Sequence, residues 1–374
     1  MKNSLSRTLY HWFVCRAYKI KSFRGGWMLT HLFIDDYRQF SCKLFFKIAT
    51  VHLKGWSYVD WSICDINNSN RHKFINTREY CKLHPLNGQY SSWIDDKLTL
   101  KYILHGTEAG QYLPSYYYEI TQDGKILPLM DLSANLAIQM SVNGIIAFLE
   151  QKEVLAFKLT KASLGIGFYK AEFKNECYYL NGEAYSRDEF AKKLSTLKGY
   201  LITEFLSPHR EFAKYCPKSV GCMRYLIARD QSGTIKPLYA FMRIGTKQSN
   251  FVENYAAGGV LTYINLANGH FSGGNVLDAK HFKNIKVENH PDTGIEIKGS
   301  IPHWDVVKKA AKQIADAMPQ LSYMGIDFCL SDDDRVKVIE INSLSSLDAF
   351  TMAPVEISNR MHEYLSERLS VVTK

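Results

Sequence analysis

The stretch Met324–Leu347, MGIDFCLSDDDRVKVIEINSLSSL, contains two apolar runs joined by an acidic turn. A turn centred near Asp333 places Asp327 of the first run opposite Glu340 of the second, so the pattern predicts an antiparallel β-hairpin. Side chains alternate along a strand, so Glu340 and Asn342 share one face, and Asp327 joins them if the register holds. Two converging carboxylates repel each other, and carboxylate and amide oxygens are ligands that Mg²⁺ prefers. The alternative is a solvated hairpin whose polar residues face water.

The composition is that of an ordinary folded chain. With 374 residues, 46% hydrophobic and 22% charged, it predicts two or three packed subdomains and not a disordered chain. The net charge of +9 fits a polyanionic partner such as a nucleotide, a nucleotide sugar, a phospholipid surface or nucleic acid. The aromatic-interleaved signatures of common RNA-binding modules are absent, and we expect no nucleic-acid partner. No apolar run approaches the ~18–20 residues that a membrane-spanning helix needs.

The first thirty residues are basic and aromatic. They hold six Lys or Arg and no Asp or Glu, without the apolar core or the cleavage site of a secretion signal. Such a segment could lie on an anionic membrane surface or pack on the body of the protein. Eight cysteines are scattered without a CxxC pair, which argues against a zinc site or a disulfide scaffold and favours reduced thiols. We therefore expect a cytoplasmic protein, with peripheral association at the inner face of the membrane as an open alternative.

Hydrophobic periodicity predicts an α+β fold with largely antiparallel sheets in its second half. Within WIDDKLTLKYILHGTEAG, Asp95 or Asp96 is suited to cap a helix that Gly106 or Gly110 ends. The short apolar runs of residues 1–90 are ambiguous between helix and strand. Further elements are predicted as strands in YLPSYYYEI, in 154–172 (two strands), 199–206, 222–229, 238–245 and 258–266, and as helices in 304–318 and near the C-terminus.

The segment FKLTKASLGIGFYK places Gly165 and Gly167 between two strands. It is therefore neither a P-loop nor a dinucleotide fingerprint, both of which continue directly into a helix. A short hairpin loop can still fold over phosphates and offer backbone N–H groups, and Lys158 would then point a cation at them. The alternative is a plain hairpin whose glycines supply positive φ.

Four polar residues in apolar surroundings are further candidates. Glu204 is a lone carboxylate in the predicted strand 199–206, where unpaired burial is costly, and its alternative is an edge position facing water. Arg224 and Arg243 lie mid-strand and present the fork suited to phosphate or carboxylate, although structural ion pairs would explain them equally. Asn254 precedes a pair of glycines and could line a substrate pocket.

The order of these parts resembles the ATP-grasp superfamily over roughly residues 93–348. The resemblance is carried by a lysine opening a helix (DDKLTLK), the strand–glycine loop–strand with Lys158, the TEFL segment and the terminal D…EIN hairpin. The segments EFLSPHREFAKYCPKSVGCMRYLI and MRIGTKQSNFVENYAAGGV are similar to the branch found with sugar-transfer and cell-surface polysaccharide genes. The turn acids Asp332, Asp333 and Asp334 are interpreted as solvated loop residues.

The resemblance implies an ATP-grasp fold, in which two α+β subdomains sandwich a nucleotide, preceded here by an N-terminal α/β region. It implies ATP and two Mg²⁺ ions as cofactors, with Mn²⁺ as a substitute. At the nucleotide, the resemblance implies that Lys97 and Lys158 contact the ATP phosphates, that Gly165 and Gly167 form the lid loop, and that Glu204 binds the ribose. It also implies that Phe205 and Leu206 form the hinge that reads adenine, and it places His209 at the nucleotide site with an open role. Metal binding is implied for Asp327, Glu340 and Asn342, and contacts to the transferred phosphate and the acyl acceptor for Arg224, Arg243 and Asn254.

The sequence departs from the family pattern in three places. The lid loop is poorer in glycine than usual, Leu159 replaces the usual Pro after the strand lysine, and the first ninety residues match no ATP-grasp N-terminal half. We expect residues 1–92 to form a separate basic and aromatic part. Residues 93–200 would be the first ATP-grasp part, with its lid at about 154–198, and residues 201–374 the second.

The leading hypothesis is an ATP-dependent ligase that joins a carboxylate to an amine, a thiol or a similar nucleophile through an acylphosphate. Its small-molecule substrates would be sugar-linked and belong to a cell-surface polysaccharide precursor. One alternative is a phosphotransferase that phosphorylates a sugar or alcohol. Another is a low-turnover nucleotide-binding scaffold that docks a membrane glycosyltransferase through its basic N-terminus.

Overall fold

A computed structural model of the protein describes residues 2–40, 42–132, 140–162, 165–249 and 253–372. These residues form two antiparallel sheets with helices packed on their faces. The α+β class predicted from the sequence is therefore confirmed. None of the helices in the described ranges combines the length and the apolar character that a bilayer crossing requires.

The first part of the chain is helical, and in the described residues no strand precedes Tyr116. Its helices are α1 (Lys2–Tyr18), α2 (Phe23–Gln39), α3 (Phe45–Leu53), α4 (Tyr58–Ile63), α5 (Thr77–Leu83), α6 (Ser92–Asp95) and α7 (Lys97–Leu104), with 3₁₀ turns at Cys42–Leu44, Arg71–Lys73, Gly88–Ser91 and Glu108–Tyr112. The expected α/β character of the N-terminal region is thus corrected. The run KLFFKIATVHL buries Ile48, Val51 and His52, a spacing of three and four that belongs to a helix face.

The first sheet has seven strands in the order β2-β1-β7-β3-β4-β5-β6. They are β1 (Tyr116–Ile120), β2 (Ile126–Pro128), β3 (Val154–Leu159), β4 (Tyr169–Lys174), β5 (Cys177–Leu180), β6 (Glu183–Tyr185) and β7 (Tyr200–Thr203). Helices α8 (Val142–Lys152) and α9 (Arg187–Thr196) contribute Ile145, Phe148 and Phe190 to the core of this sheet. The polar stretch 175–198, for which no element was predicted, contains β5, β6 and α9.

The second sheet has nine strands, with β13-β12-β10-β9-β8-β15-β16 as its main order, β11 attached to β10 and β14 attached to β11. They are β8 (Cys222–Arg229), β9 (Ile235–Ile244), β10 (Val260–Ile264), β11 (His270–Ser272), β12 (Gly274–Asp278), β13 (Lys283–Val287), β14 (Lys298–Ser300), β15 (Tyr323–Leu330) and β16 (Val336–Asn342). The remaining helices are α10 (Arg210–Ala213), α11 (Trp304–Ala317), α12 (Leu347–Thr351) and α13 (Val355–Val372), with a 3₁₀ turn at Tyr255–Ala257.

Both faces of the second sheet are packed, but by different parts of the chain. Helix α11 supplies Val307 and Ile314 to one core. On the other face, Tyr239 and Leu226 belong to a core that includes residues of α3, α4, α5, α12 and α13. Helices α3, α4 and α5 are therefore part of the core of the second sheet, whereas buried residues of α1 and α2 form a small core of their own with Cys81 of α5.

The end of one predicted strand differs from the structure. The predicted strand 199–206 ends at Thr203, because residues 204–207 leave the first sheet and cross to the second. There Pro208 forms a β-bridge with Ser331, and the His209 N–H donates to the carbonyl of Leu330 at 3.1 Å. Glu204 thus lies at the start of a crossing segment and not inside a strand.

Candidate functional site

Lys97 lies where the two sheets meet. It occupies the first turn of α7, whose N-cap is Asp96, which accepts a hydrogen bond from the Thr99 N–H at 2.8 Å. This confirms the predicted cap. The Lys97 Nζ donates to the Ala162 carbonyl at 2.6 Å and lies 3.2 Å from the Glu340 Oε2. One buried ammonium group therefore joins the turn after β3 to strand β16.

Lys158 approaches the same place from β3. Its Nζ lies 4.9 Å from the centroid of the Tyr116 ring. The pKa of Lys158 is lowered to about 7, mainly by burial and also by the nearby Lys97 ammonium, while Glu340 acts in the opposite direction. Two ammonium groups thus share one carboxylate, Glu340. A bound polyphosphate would supply the negative charge that this pair lacks, so the residues fit an ATP phosphate chain.

Asp327 is held by both mid-strand arginines. The Arg224 Nε and Nη2 lie 2.5 and 2.6 Å from its two carboxylate oxygens, and the Arg243 Nη2 lies 2.8 Å from its Oδ2. Burial acts to raise the pKa of Asp327, which is 1% exposed, but the two guanidinium groups outweigh it and the pKa lies below its ordinary value. Both arginines take part in the ion pairs that were their alternative explanation.

The predicted convergence of the hairpin residues is confirmed. Asp327 pairs with Glu340 next to a bulge, and Gly325 pairs with Asn342. The Asn342 Nδ2 lies 3.4 Å from the Asp327 Oδ2 and 3.2 Å from the Glu340 Oε1. These three side chains therefore share one face, as the alternation of the strand requires.

Asp327, Glu340 and Asn342 are not equally available to a divalent cation. The Asp327 oxygens already accept from Arg224 and Arg243, whereas the Glu340 carboxylate is 20% exposed beside the Asn342 amide. One carboxylate and an amide, completed by substrate phosphates and water, form an acceptable Mg²⁺ site. Across the described ranges no group of three or more His, Cys, Asp or Glu side chains is arranged to hold a metal. The metal role of Asp327, Glu340 and Asn342 stays a prediction.

Glu204 and the segment after it connect the two sheets. The Glu204 Oε2 accepts from the Ser115 N–H at 3.0 Å, and its Oε1 accepts from the Arg335 Nη2 at 2.6 Å. The half-buried Phe205 lies under the Lys170 Nζ, which is 4.9 Å from its ring centroid, and Leu206 is half-buried in the same segment. Glu204 therefore begins the crossing segment, while its ribose contact and the hinge role of Phe205 and Leu206 stay predictions.

His209 is engaged on both ring nitrogens. Its Nδ1 accepts from the Glu211 N–H at 3.1 Å at the start of α10, and its Nε2 lies 2.9 Å from the Asp334 Oδ1. Asp333 pairs with Arg335 at 2.5 Å. Asp333 and Asp334 are exposed, as predicted, but they are also held by these contacts, because the β15–β16 turn folds back onto the crossing segment.

The lid glycines both need their conformational freedom. Gly165 and Gly167 have φ values of 72° and 71° in the turn between β3 and β4. A Cβ on Gly167 would lie 2.7 Å from the Leu159 Cδ1 and 3.1 Å from the Tyr200 Oη. Residues 163 and 164 of the predicted lid lie outside the described residues. Leu159, which stands where the family usually has Pro, thus packs against the loop.

Asn254 lies next to Glu253, a carboxylate that the sequence analysis did not identify. Its Oδ1 accepts from the Ala256 N–H at 3.0 Å and caps the 3₁₀ turn, so its acceptor-site role stays a prediction. Its neighbour Glu253 accepts from the Ser219 hydroxyl and, at 2.8 Å, from the Gly221 N–H. Burial raises the pKa of Glu253 although Arg243 opposes it. No local pattern in NFVENY distinguishes this carboxylate, because its partners come from the loop before β8.

Two further lysines line the same junction. The Lys337 Nζ donates to the carbonyls of Gln111 and Leu113, both at 3.0 Å, and burial lowers the pKa of Lys337. Lys101 pairs with Asp131 at 2.5 Å. The spacing of four residues from Lys97 places Lys101 on the same face of α7, and this signal could have identified it from the sequence.

Comparison with protein families gives a match over most of the chain. The model of a family described as sugar-transfer associated ATP-grasp matches residues 79–362. No curated protein matches the sequence.

Several solved structures are similar in fold at low sequence identity. An ADP complex of purK, N5-carboxyaminoimidazole ribonucleotide synthetase, is 12% identical, with 68% of this chain and 46% of that chain covered and a TM-score of 0.38. D-alanyl-alanine synthetase A from Vibrio cholerae O1 biovar eltor str. N16961 is 12% identical, with 76% and 67% covered and a TM-score of 0.42. The ATP-grasp ligase PsnB with its minimal precursor is 12% identical, with 75% and 63% covered and a TM-score of 0.40. The chain thus spans 46% to 67% of the length of these proteins.

Proposed function

The chain belongs to the sugar-transfer associated ATP-grasp family, and from this premise we propose that it is an ATP- and Mg²⁺-dependent ligase. It would join a carboxylate to an amine, or to a thiol or similar nucleophile, through an acylphosphate. The observation that carries the proposal is the cationic pair Lys97 and Lys158 beside Glu340, at the junction of the two sheets. The substrates would be small molecules linked to sugars, in keeping with the description of the family.

The first step transfers the γ-phosphoryl group of ATP to a substrate carboxylate. The carboxylate oxygen forms a bond to phosphorus, the bond to the β,γ-bridging oxygen breaks, and ADP leaves. Lys97 and Lys158 hold the phosphate chain and offset its charge, so the nucleophile and phosphorus are kept in line. Mg²⁺, held by Glu340 and Asn342, would neutralise charge on the phosphate oxygens.

The second step forms the new bond. An amine attacks the acyl carbon, the carbon–oxygen bond to phosphate breaks, and the amine loses a proton as inorganic phosphate leaves. In this proposal Arg243, whose buried Nε has no partner among the described atoms, faces the departing phosphate. Arg224 and Asp327 then act as positioning residues, because they fix the Arg243 guanidinium through the shared carboxylate. No covalent enzyme intermediate is required.

The experiment supplies ATP, Mg²⁺ and a panel of acids, including sugar acids, with hydroxylamine as the nucleophile. The expected result is formation of ADP and a hydroxamate with at least one acid. Glu340→Gln should lower the rate by about a hundredfold or more, since it removes the carboxylate shared by the metal and Lys97. The exposed Glu288→Gln is the matched control and should retain the wild-type rate.

The same reactions separate the ligase from its alternatives. A phosphorylated hydroxyl group in the product, detected by ³¹P NMR without any hydroxamate, would establish a phosphotransferase. The absence of ADP with every acid and alcohol, together with nucleotide binding, would contradict both enzymes and favour the scaffold.

A further inference from the structure

Helices α1, α2 and α3 expose an unusual number of large apolar side chains. We name this set the N-terminal aromatic surface; it consists of Trp12, Phe13, Phe23, Trp27, Leu32, Phe45, Phe46 and Leu53. Their exposed fractions range from 37% to 84%. Six of the eight Trp, Phe and Tyr side chains that are strongly exposed in the described residues belong to it. A concentration of large exposed apolar side chains in one part of a protein marks a surface that binds another molecule or a membrane.

The side chains are ordered along helix faces. Phe23 and Trp27, four residues apart on α2, stack with ring centroids 6.1 Å apart, and the His11 ring of α1 contacts both. Phe46 and Leu53, seven residues apart on α3, share a face and are 84% and 77% exposed. Each helix therefore has an inner face that packs on the protein and an outer face that exposes large apolar side chains among polar ones.

Charge is concentrated in the same part of the chain. Residues 1–90 hold fourteen Lys or Arg and five Asp or Glu, an excess of nine. This excess equals the net charge of the whole chain, so residues 91–374 are neutral overall. Lys19, Lys21 and Lys47 are exposed, and the Arg16 guanidinium lies 5.3 Å from the centroid of the Trp12 ring. Cations and exposed aromatic rings are thus interleaved.

This combination matches the surface of an anionic bilayer. Trp and Phe side chains enter the headgroup region, while Lys and Arg extend to lipid phosphates along their apolar stems. A protein partner would equally cover apolar side chains, but it would not by itself account for a charge excess that is confined to this part of the chain. We propose that the N-terminal aromatic surface docks the protein onto an anionic phospholipid membrane without crossing it.

The test is co-sedimentation of the full chain with vesicles, without nucleotide, so its outcome is independent of the proposed ligase activity. The wild type should bind vesicles that contain phosphatidylglycerol, bind phosphatidylcholine vesicles at least about tenfold more weakly, and be partly released by high salt. Phe46→Ser/Leu53→Ser should lower the affinity at least about tenfold, because both side chains are mostly exposed and their loss removes buried apolar area in the membrane. Ile295→Ser/Val355→Ser, also at exposed positions, is the matched apolar control and should bind like the wild type.

A separate variant tests the contribution of the lysines to vesicle binding. Lys19→Gln/Lys21→Gln/Lys47→Gln should weaken binding to the anionic vesicles and abolish its salt dependence in large part. Lys192→Gln/Lys198→Gln/Lys309→Gln removes three exposed lysines elsewhere and should have no such effect. Thermal unfolding by circular dichroism verifies that each variant is folded.

Three outcomes overturn the proposal. The wild type stays in the supernatant with anionic vesicles, or the Phe46→Ser/Leu53→Ser variant binds them as tightly as the wild type. In the third, the wild type self-associates in solution, the same variant is monomeric, and vesicles have no effect, which would assign the surface to a second copy of the chain. Equal binding to neutral and anionic vesicles would overturn the role of the cations.

Discussion

Asp327 is a buried negative charge that two cationic side chains compensate. Its carboxylate is almost fully buried, which is unfavourable for an isolated ion, and two guanidinium groups satisfy it. Because both guanidinium groups bind this one carboxylate, the three side chains act as one unit. The unit links Arg243 to the Asn342 amide through the shared Asp327 Oδ2, near the place where phosphate is proposed to bind. Its stability and its chemistry therefore depend on the same contacts.

Removing Arg224 should be costly. We expect Arg224→Leu to lower the free energy of unfolding by about 3 kcal/mol, because Asp327 keeps only one of its two cationic partners in a buried site. Urea denaturation measures this change. Arg335→Leu, which breaks the more exposed pair with Glu204, serves as the comparison and should cost less than about 1 kcal/mol. Equal effects of the two substitutions would contradict the importance of burial.

Lys158 should make nucleotide binding dependent on pH. With a pKa of about 7 it is largely neutral above this pH in the free protein, and phosphate favours its charged form. Binding should therefore take up a proton, and the apparent affinity for ATP should fall by up to about tenfold per pH unit above 7. Calorimetry in buffers of different ionisation enthalpy measures the proton uptake.

The lowered pKa of Lys158 also makes the free energy of unfolding depend on pH. The unfolded lysine binds its proton up to a pKa of about 10.4, so the contribution of Lys158 to the stability of the free protein increases between pH 7 and this value. Lys158→Arg keeps its charge throughout and is the matched variant. If Lys158→Arg shows the same proton uptake as the wild type, another group is responsible.

At the scale of elements, the hairpin and the lid behave differently. The β15–β16 hairpin was predictable because alternation alone orders Asp327, Glu340 and Asn342 once its two strands pair. The β3–β4 turn depends on neighbours outside it. Leu159 and the Tyr200 hydroxyl limit the space beside Gly167, so this loop is shaped by side chains that pack against it.

Gly124 and Gly167 have similar φ values, so substitutions at these two positions distinguish backbone strain from crowding by neighbouring side chains. Gly124 has φ 85° and open space where a Cβ would lie, so Gly124→Ala should cost about 1 kcal/mol of unfolding free energy from the backbone alone. Gly167→Ala should cost more, because its Cβ would also meet Leu159 at 2.7 Å. Chemical denaturation of both variants checks this order. Equal costs would show that Leu159 moves away freely.

The whole molecule is organised around the junction of the two sheets. Lys97 on α7, Glu204 after β7 and Lys337 on β16 each hold a partner from another part of the chain. Helices α3, α4 and α5 complete the core of the second sheet, and helices α1, α2 and α3 present the N-terminal aromatic surface. A ligand at the junction would therefore contact both sheets at once.

Ligand binding at this junction should stabilise the entire fold. A non-hydrolysable ATP analogue with Mg²⁺ at about a hundred times its Kd should add about 2.7 kcal/mol to the free energy of unfolding. Lys97→Met should lose most of this gain, whereas Lys309→Met, at an exposed position on α11, should retain it. Differential scanning fluorimetry with and without the analogue measures the difference. A full gain in Lys97→Met would remove this lysine from the proposed phosphate site.

The order of the parts and the features that follow from local periodicity could be predicted from the amino-acid sequence alone. Strand alternation placed Glu340 and Asn342 together, the cap at Asp96 set the start of α7, and the helical period of residues 304–318 predicted α11. Features that depend on contacts between distant segments could not be predicted in this way, because they form only when the chain folds. The two arginines on Asp327, the Glu204–Arg335 pair and the burial of Glu253 join residues 34 to 131 positions apart. The tertiary structure also decided that the N-terminal region is helical, because packing on the second sheet, and not the ambiguous local pattern, selects the period of its short apolar runs.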